Sequence, residues 1–218
     1  RGVNANKVPF FKDNGFVYVS INYRLSPEVQ HPGHIEDVAE AVSWVSDNIG
    51  KYGGDGKRIF VMGHSAGAHL AALVATDDCR LKIHKKDLSL IKGVILLDGA
   101  GYDVATQMKG TRIFGGILNE MYVGAFTSDP AVQRDASPLF HISAGKNVPP
   151  FLIFTAGSRR DSVNQSTKMV EAMKNAGISA ETIDDPSKSH GTINTDFGLA
   201  GELTTNKSKE FLYRILRK

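Results

Sequence analysis

A serine hydroxyl is a weak nucleophile until a neighbouring base takes its proton, so a serine matters when its setting exposes it and supplies partners. Ser65 stands in Gly63-His64-Ser65-Ala66-Gly67, a G-x-S-x-G pattern. The pattern directly follows an apolar run, Arg58 to Met62 (RIFVM), and opens a small-residue run, Ala66 to Ala75 (AGAHLAALVA). A strand, a sharp turn and a helix in that order strain the serine backbone and lift its hydroxyl above a sheet. Glycines two residues to either side leave room for strand and helix to cross. The helix begins with unpaired N–H groups and a positive dipole end. The Ala66 N–H is therefore expected to face the place where an oxyanion forms.

Such a serine needs a base, and the base needs an orienting acid; in this setting they follow in chain order Ser, Asp or Glu, His. Asp161 lies in Gly157-Ser158-Arg159-Arg160-Asp161-Ser162-Val163, just past the apolar run Phe151 to Thr155 (FLIFT). His190 lies in Ser187-Lys188-Ser189-His190-Gly191, past the next short strand. Both positions read as loops at the carboxyl ends of strands, the edge that also carries Ser65. Asp184 and Asp185 compete with Asp161 but end a strand only a few residues before His190. Of the other histidines, His64 is inside the pattern, His69 lies in the helix after it, and His31, His34, His84 and His141 come too early. The expected set is Ser65, Asp161 and His190 as catalytic residues, with Ala66 as oxyanion donor.

Strand and helix patterns alternate along the chain, as in a mostly parallel sheet with helices on both faces. Strands are predicted at Phe16 to Asn22, Arg58 to Met62, Lys92 to Asp98, Phe151 to Thr155 and Ser179 to Ile183. Helices are predicted at Ile35 to Ile49, Ala66 to Ala75, and Ser162 to Ala176 with Gly177 as C-cap. A last helix is predicted to run to Leu216, capped by Thr204 or Thr205, with Phe211, Leu212 and Ile215 inward. The whole chain is expected to be one domain. Between about 100 and 148 the pattern is irregular, and a long irregular stretch in a compact domain predicts a lid or pocket insertion.

The composition narrows the function classes. Of 218 residues, 41% are hydrophobic and 22% charged, ordinary for a globular chain with a core. No apolar run reaches the roughly 18 residues that would span a bilayer. Net charge is +3 and the basic residues are scattered, with the densest group at Lys82 to Lys86, so no nucleic-acid footprint is expected. Cys79 is the only cysteine, which excludes an intrachain disulfide. It follows Thr76-Asp77-Asp78 with no basic motif beside it, which favours packing or surface over catalysis. No cofactor is implied, and no cluster has metal-ligand spacing.

These residues resemble the α/β-hydrolase esterases of the carboxylesterase and feruloyl-esterase-like branch, near the hormone-sensitive-lipase group and kynurenine formamidases. The matching pieces are Asn22-Tyr23-Arg24-Leu25-Ser26-Pro27, the helix from Ile35-Glu36-Asp37-Val38 to Trp44-Val45, Gly53-Gly54-Asp55-Gly56-Lys57-Arg58-Ile59, and the Ser65 turn. Ala136-Ser137-Pro138-Leu139, Asp161-Ser162-Val163 and His190-Gly191 with Asn194 complete them. The resemblance implies a three-layer α/β/α sandwich and ester hydrolysis through an acyl-serine, with a small-molecule ester of short or small aromatic acyl group as substrate. An arylformamidase-type amidase on the same triad, a non-catalytic relative used for binding, and a peptidase of the same fold are the alternatives. One departure stands out. The family carries a His-Gly-Gly motif whose N–H groups supply most of the oxyanion hole, and here the sequence opens at Arg1-Gly2-Val3, in what resembles the segment just after it. The N-terminal strands are accordingly expected to be missing, which would impair activity and expose a sheet edge open to homo-oligomer formation. Compartment is not legible.

Overall fold

A computed structural model describes residues 5–114 and 116–217. Its centre is a four-stranded sheet of β1 (Ile59–His64), β2 (Ile91–Leu97), β3 (Phe151–Thr155) and β4 (Ala180–Asp184), in that order. All three pairings are parallel. Parallel neighbours need crossovers, and these are helical: α3 (Ala66–Thr76) between β1 and β2, and α8 (Arg160–Asn175) between β3 and β4.

Both faces of the sheet are covered, which is why β2 and β3 read as unbroken apolar runs rather than alternating ones. Val94, Leu96, Phe151 and Ile153 point to one face. There they meet Ile35, Val38 and Val42 of α2 (Gly33–Asn48), Leu73 of α3 and Met169 of α8. Ile95, Leu97, Leu152 and Phe154 point to the other. Their partners are Phe10 and Phe11 of α1 (Lys7–Asp13) and Phe211 and Leu212 of α10 (Leu203–Leu216). The period of two along each strand thus feeds two separate cores, each buried Leu, Ile or Phe contributing about 1.5–3 kcal/mol of apolar burial. The architecture is the expected three-layer α/β/α sandwich.

Several motifs turn out to be structural. Arg24 donates from Nε and Nη2 to Asp37 of α2, and its backbone N–H donates to the same carboxylate, so the Tyr-Arg-Leu-Ser-Pro piece anchors its loop to α2. Ser137 accepts the Val104 N–H and donates to Gln133 O, which fastens the start of α5 (Val104–Phe114) to the end of α7 (Pro130–Asp135). Gly177, at φ +74°, ends α8 as expected, with its N–H on Lys174 O and the Ile178 N–H on Met173 O.

Other expectations need correction. Phe16 to Asn22 has no regular secondary structure and belongs to no strand of the sheet. Phe16 and Tyr18 pack on the second core, while Val17, Val19 and Ile21 are exposed. A groove of about 780 Å³ separates this segment from the outer edge of β1, so sequence propensity for a strand is present although the segment joins no ladder of the sheet. The stretch from 100 to 148 is helical rather than irregular: α5, α6 (Ile117–Phe126) and α7, then a 3₁₀ turn at Pro138–His141. The last helix begins at Leu203, ahead of both threonines proposed as caps; Thr204 and Thr205 are buried, and Thr205 Oγ1 accepts the Gly198 N–H instead. Helix α1 was not anticipated. Arg1 to Val3 lie outside the described residues. No helix among the described residues is long and apolar enough to cross a membrane.

Candidate active site

Ser65 sits between the end of β1 and the start of α3 at φ 55°, ψ −121°, the strained turn that the sequence pattern predicts. Its N–H still donates to Leu97 O at 3.1 Å, extending the strand ladder by one residue and fixing the serine at the sheet edge. The flanking glycines do different work. A Cβ on Gly63 would lie 2.1 Å from Gly67 O, so helix and strand could not cross there with any larger residue. A Cβ on Gly67 would meet nothing within 4 Å. Ala66 is the first residue of α3, where N–H groups have no intrahelical acceptor, beside the Ser65 hydroxyl.

His190 follows β4 in the turn before α9 (Thr192–Thr195). Its Nε2 lies 3.0 Å from Ser65 Oγ. The turn is held from below by His64, whose Nε2 is 2.7 Å from His190 O and whose ring lies 4.5 Å from the His190 ring, tilted by 37°. Burial lowers the basicity of His64, which keeps it a neutral N–H donor to that carbonyl. Lys7 of α1 secures the next turn by donating to Asn194 O and Oδ1; its own burial brings its pKa down to about 8.

The acid is where sequence and structure part. Asp161 does not reach His190; its Oδ2 accepts from Arg159 Nη2 at 2.9 Å and from Gln107 Nε2 at 3.0 Å. The carboxylate on His190 is Asp98, with Oδ2 2.6 Å from Nδ1. The reason is register. His64 is opposite Leu97 in the β1–β2 ladder, so Ser65 and Asp98 are the next residues beyond two adjacent strand ends. Asp98 has φ 45°, and its N–H donates to Phe154 O at 2.8 Å, so it turns out of the sheet as Ser65 does. Asp161 lies in the first turn of α8, with Arg159 interposed. Asp98 has the same order along the chain, Ser65 then Asp98 then His190, and it closes a predicted strand immediately before Gly99; that was the available signal. Asp184 is accounted for by the Thr155 hydroxyl at 2.7 Å, and Asp185 by Ser187.

Asp98 is fully buried. Burial by itself would raise its pKa, but hydrogen bonding from His190, the nearby Ser162 hydroxyl, the Ala156 N–H and the charge of Arg159 outweigh it. The carboxyl is held below its ordinary range and stays ionised at neutral pH. Arg159 is pulled down by burial but raised more by Asp161 and Asp98, so it stays a cation.

Away from this edge, Asp77, Asp135 and His141 bring ligand atoms close together, a grouping no sequence spacing reveals. Arg80 already fills it, with Nε 2.7 Å from Asp77 and Nη2 on Asp135. The positive charge a metal would bring is supplied by the chain itself.

Comparison with known proteins bears on the fold and the family. The chain is 28% identical over 210 residues to Esterase LipQ of Mycobacterium tuberculosis, covering 91% of this chain and 48% of that protein. It is 35% identical over 168 residues to Esterase LipC of the same organism, covering 73% and 41%. The chain thus spans about half the length of these two relatives, or less. In three dimensions it is similar to a C6-C4 SN3 inhibited esterase B from Lactobacillus rhamnosis, with a TM-score of 0.79 at 18% identity over 98% of this chain and 72% of that one. That likeness establishes the α/β-hydrolase fold. The sequence model of BD-FAE matches residues 1–173, Ser65, Asp98 and Asp161 included, and the chain belongs to the BD-FAE family.

Proposed function

We propose that the protein is a serine hydrolase of carboxylic esters, with Ser65 as nucleophile, His190 as base and Asp98, rather than Asp161, as the orienting acid. One observation carries this reading: the unbroken line from Ser65 Oγ through His190 Nε2 and Nδ1 to Asp98 Oδ2, at 3.0 Å and 2.6 Å. With Asp98 ionised, Nδ1 keeps its proton and Nε2 is left bare, the tautomer that can accept the Ser65 proton. His190 takes that proton as Ser65 Oγ attacks the ester carbonyl. The imidazolium formed is stabilised by Asp98, and the Ala66 N–H faces the developing oxyanion. His190 then protonates the departing alcohol, leaving an acyl-serine that water clears by the same route. Short-chain or small aromatic acyl esters are the proposed substrates, since the insertion from 100 to 148 is short for a lipase lid. Gln107 of α5 reaches Asp161 beside the site, which supports reading that insertion as a pocket wall. Among the described residues no strand pairs with the outer edge of β1, which supports self-association as a second proposal, read by sedimentation at increasing concentration.

The test is hydrolysis of p-nitrophenyl acetate by the protein and by Ser65→Ala, followed by acyl-chain and anilide series. Turnover that disappears in Ser65→Ala is the expected result. Turnover that survives the substitution would end the reading.

A further inference from the structure

Arg159 stands between the two carboxylates that compete for the acid role. Its Nη1 lies 2.9 Å from Asp98 O, 3.2 Å from Asp98 Oδ2 and 2.9 Å from His190 Nδ1. Its Nη2 lies 2.9 Å from Asp161 Oδ2. Nη1 has two hydrogens, and Asp98 O with Asp98 Oδ2 use both. With the proton on Nδ1, His190 and Arg159 are therefore two donors converging on one carboxylate oxygen. The opposite arrangement would have a bare Nδ1 accept from Arg159 and the ring proton move to Nε2, where it faces Ser65 and blocks proton transfer. Arg159 thus both fixes Asp98 and offers the unproductive tautomer a partner, and the local charge balance decides between them.

That balance needs Asp161. Asp98 and Asp161 against Arg159 leave one net negative charge facing neutral His190, and forming the imidazolium brings the group to zero. Without Asp161 the same step would take the group from zero to a net positive charge. Of the other titratable groups around this cluster, one histidine and two tyrosines are neutral, and Asp184 lies against Gly157 with the Thr155 hydroxyl on it. Burial lowers His64 on β1 and raises Tyr102 and Tyr122, the last to about 12. Lys7 on α1 is a further cation, beyond His64.

We propose that Arg159 is a positioning residue that aligns Asp98 on His190, and that Asp161 acts through Arg159 as the counter-charge that keeps the catalytic imidazolium favourable. This rests on the roles given above to Ser65, His190 and Asp98. Asp161 touches neither His190 nor Ser65, so its effect is electrostatic and at one remove.

The test is the pH dependence of kcat/KM on p-nitrophenyl acetate for the protein, Asp161→Asn, Arg159→Met, Arg159→Lys and the Arg159→Met/Asp161→Asn pair. In Asp161→Asn the acid limb is expected to move to lower pH by roughly half to one unit, the influence of a unit charge one guanidinium away in a part-buried site. Its kcat is expected to fall about tenfold. In Arg159→Met the acid limb moves to higher pH while kcat falls about a hundredfold, because Asp98 loses its alignment. The double variant returns the limb to its original place without restoring kcat, and Arg159→Lys recovers part of kcat. A purely structural role would lower kcat without moving the limb in opposite directions. Acid limbs unmoved in both single variants, or displaced the same way, would overturn the proposal. Should Arg159→Met fail to fold, the direction of the Asp161→Asn shift still decides. If the unmodified protein shows no turnover removed by Ser65→Ala, the underlying assignment fails; if it does, and the limbs stay put, this inference alone fails.

Discussion

Asp98→Asn is the substitution that most directly separates the two candidate acids. The change removes a charge from a fully buried position 2.6 Å from His190 Nδ1 while keeping the side chain's shape. Asp98 Oδ1 receives the Ala156 N–H at 3.2 Å, and Oδ2 receives both His190 and Arg159 Nη1. An asparagine must place its NH₂ at one of these positions, so a donor confronts a donor whichever way the amide turns, at about 1–3 kcal/mol. The imidazolium would also form beside Arg159 without its neutralising carboxylate, and leaving a buried charge unpaired costs about 3–5 kcal/mol. Together these come to about 4–8 kcal/mol and predict a kcat lower by about 10³–10⁶, with KM little changed, because the loss falls on the transition state. The assay is steady-state hydrolysis of p-nitrophenyl acetate by Asp98→Asn and Asp161→Asn side by side, with thermal unfolding recorded first to establish that both variants fold. Asp98→Asn keeping more than about a tenth of the original kcat, with Asp161→Asn losing 10³ or more, would refute the assignment and restore Asp161, the acid expected from the sequence.

Three further outcomes follow from local geometry. Gly63→Ala should destabilise by about 3 kcal/mol or more, since its Cβ would lie 2.1 Å from Gly67 O, whereas Gly67→Ala should stay within about 1 kcal/mol; urea unfolding of the pair compares them. His64→Phe removes the donor to His190 O, so kcat should fall about tenfold with KM little changed, and unaltered turnover would deny His64 its part in holding the loop. His69 is buried, with Nδ1 on Gly101 O, and burial lowers its pKa from 6.5 to about 4. Between those values the unfolded chain holds the extra proton, so stability falls as pH drops from about 6.5 toward 4, by up to about 3 kcal/mol. His69→Asn, whose amide can keep the bond to Gly101 O, should lose that part of the acid sensitivity, as urea midpoints at pH 7 and near pH 4.5 would record.

Much of this protein is legible in its sequence. Four of the five predicted strands form the parallel sheet. The serine turn was readable because its constraint is local: a strand, a strained residue and a helix within a few positions leave a pattern in neighbouring residues. His190 was reachable by chain order and by exclusion of the other histidines. Phe16 to Asn22 has the residues of a strand, yet pairing depends on an adjacent edge, and across its groove from β1 it joins no ladder. The helices of residues 100–148 were hidden because their apolar residues follow no long regular period. The choice between Asp98 and Asp161 lay beyond sequence for the same kind of reason. Both follow an apolar strand, both come after Ser65 and before His190, and nothing along the chain ranks one above the other in distance. Register did so, by setting Leu97 opposite His64 and thus Asp98 beside Ser65. Arg159 completed the choice by taking Asp161 for itself. Local backbone chemistry is written in consecutive residues, whereas which of two carboxylates meets an imidazole is decided only when separate strands are laid side by side.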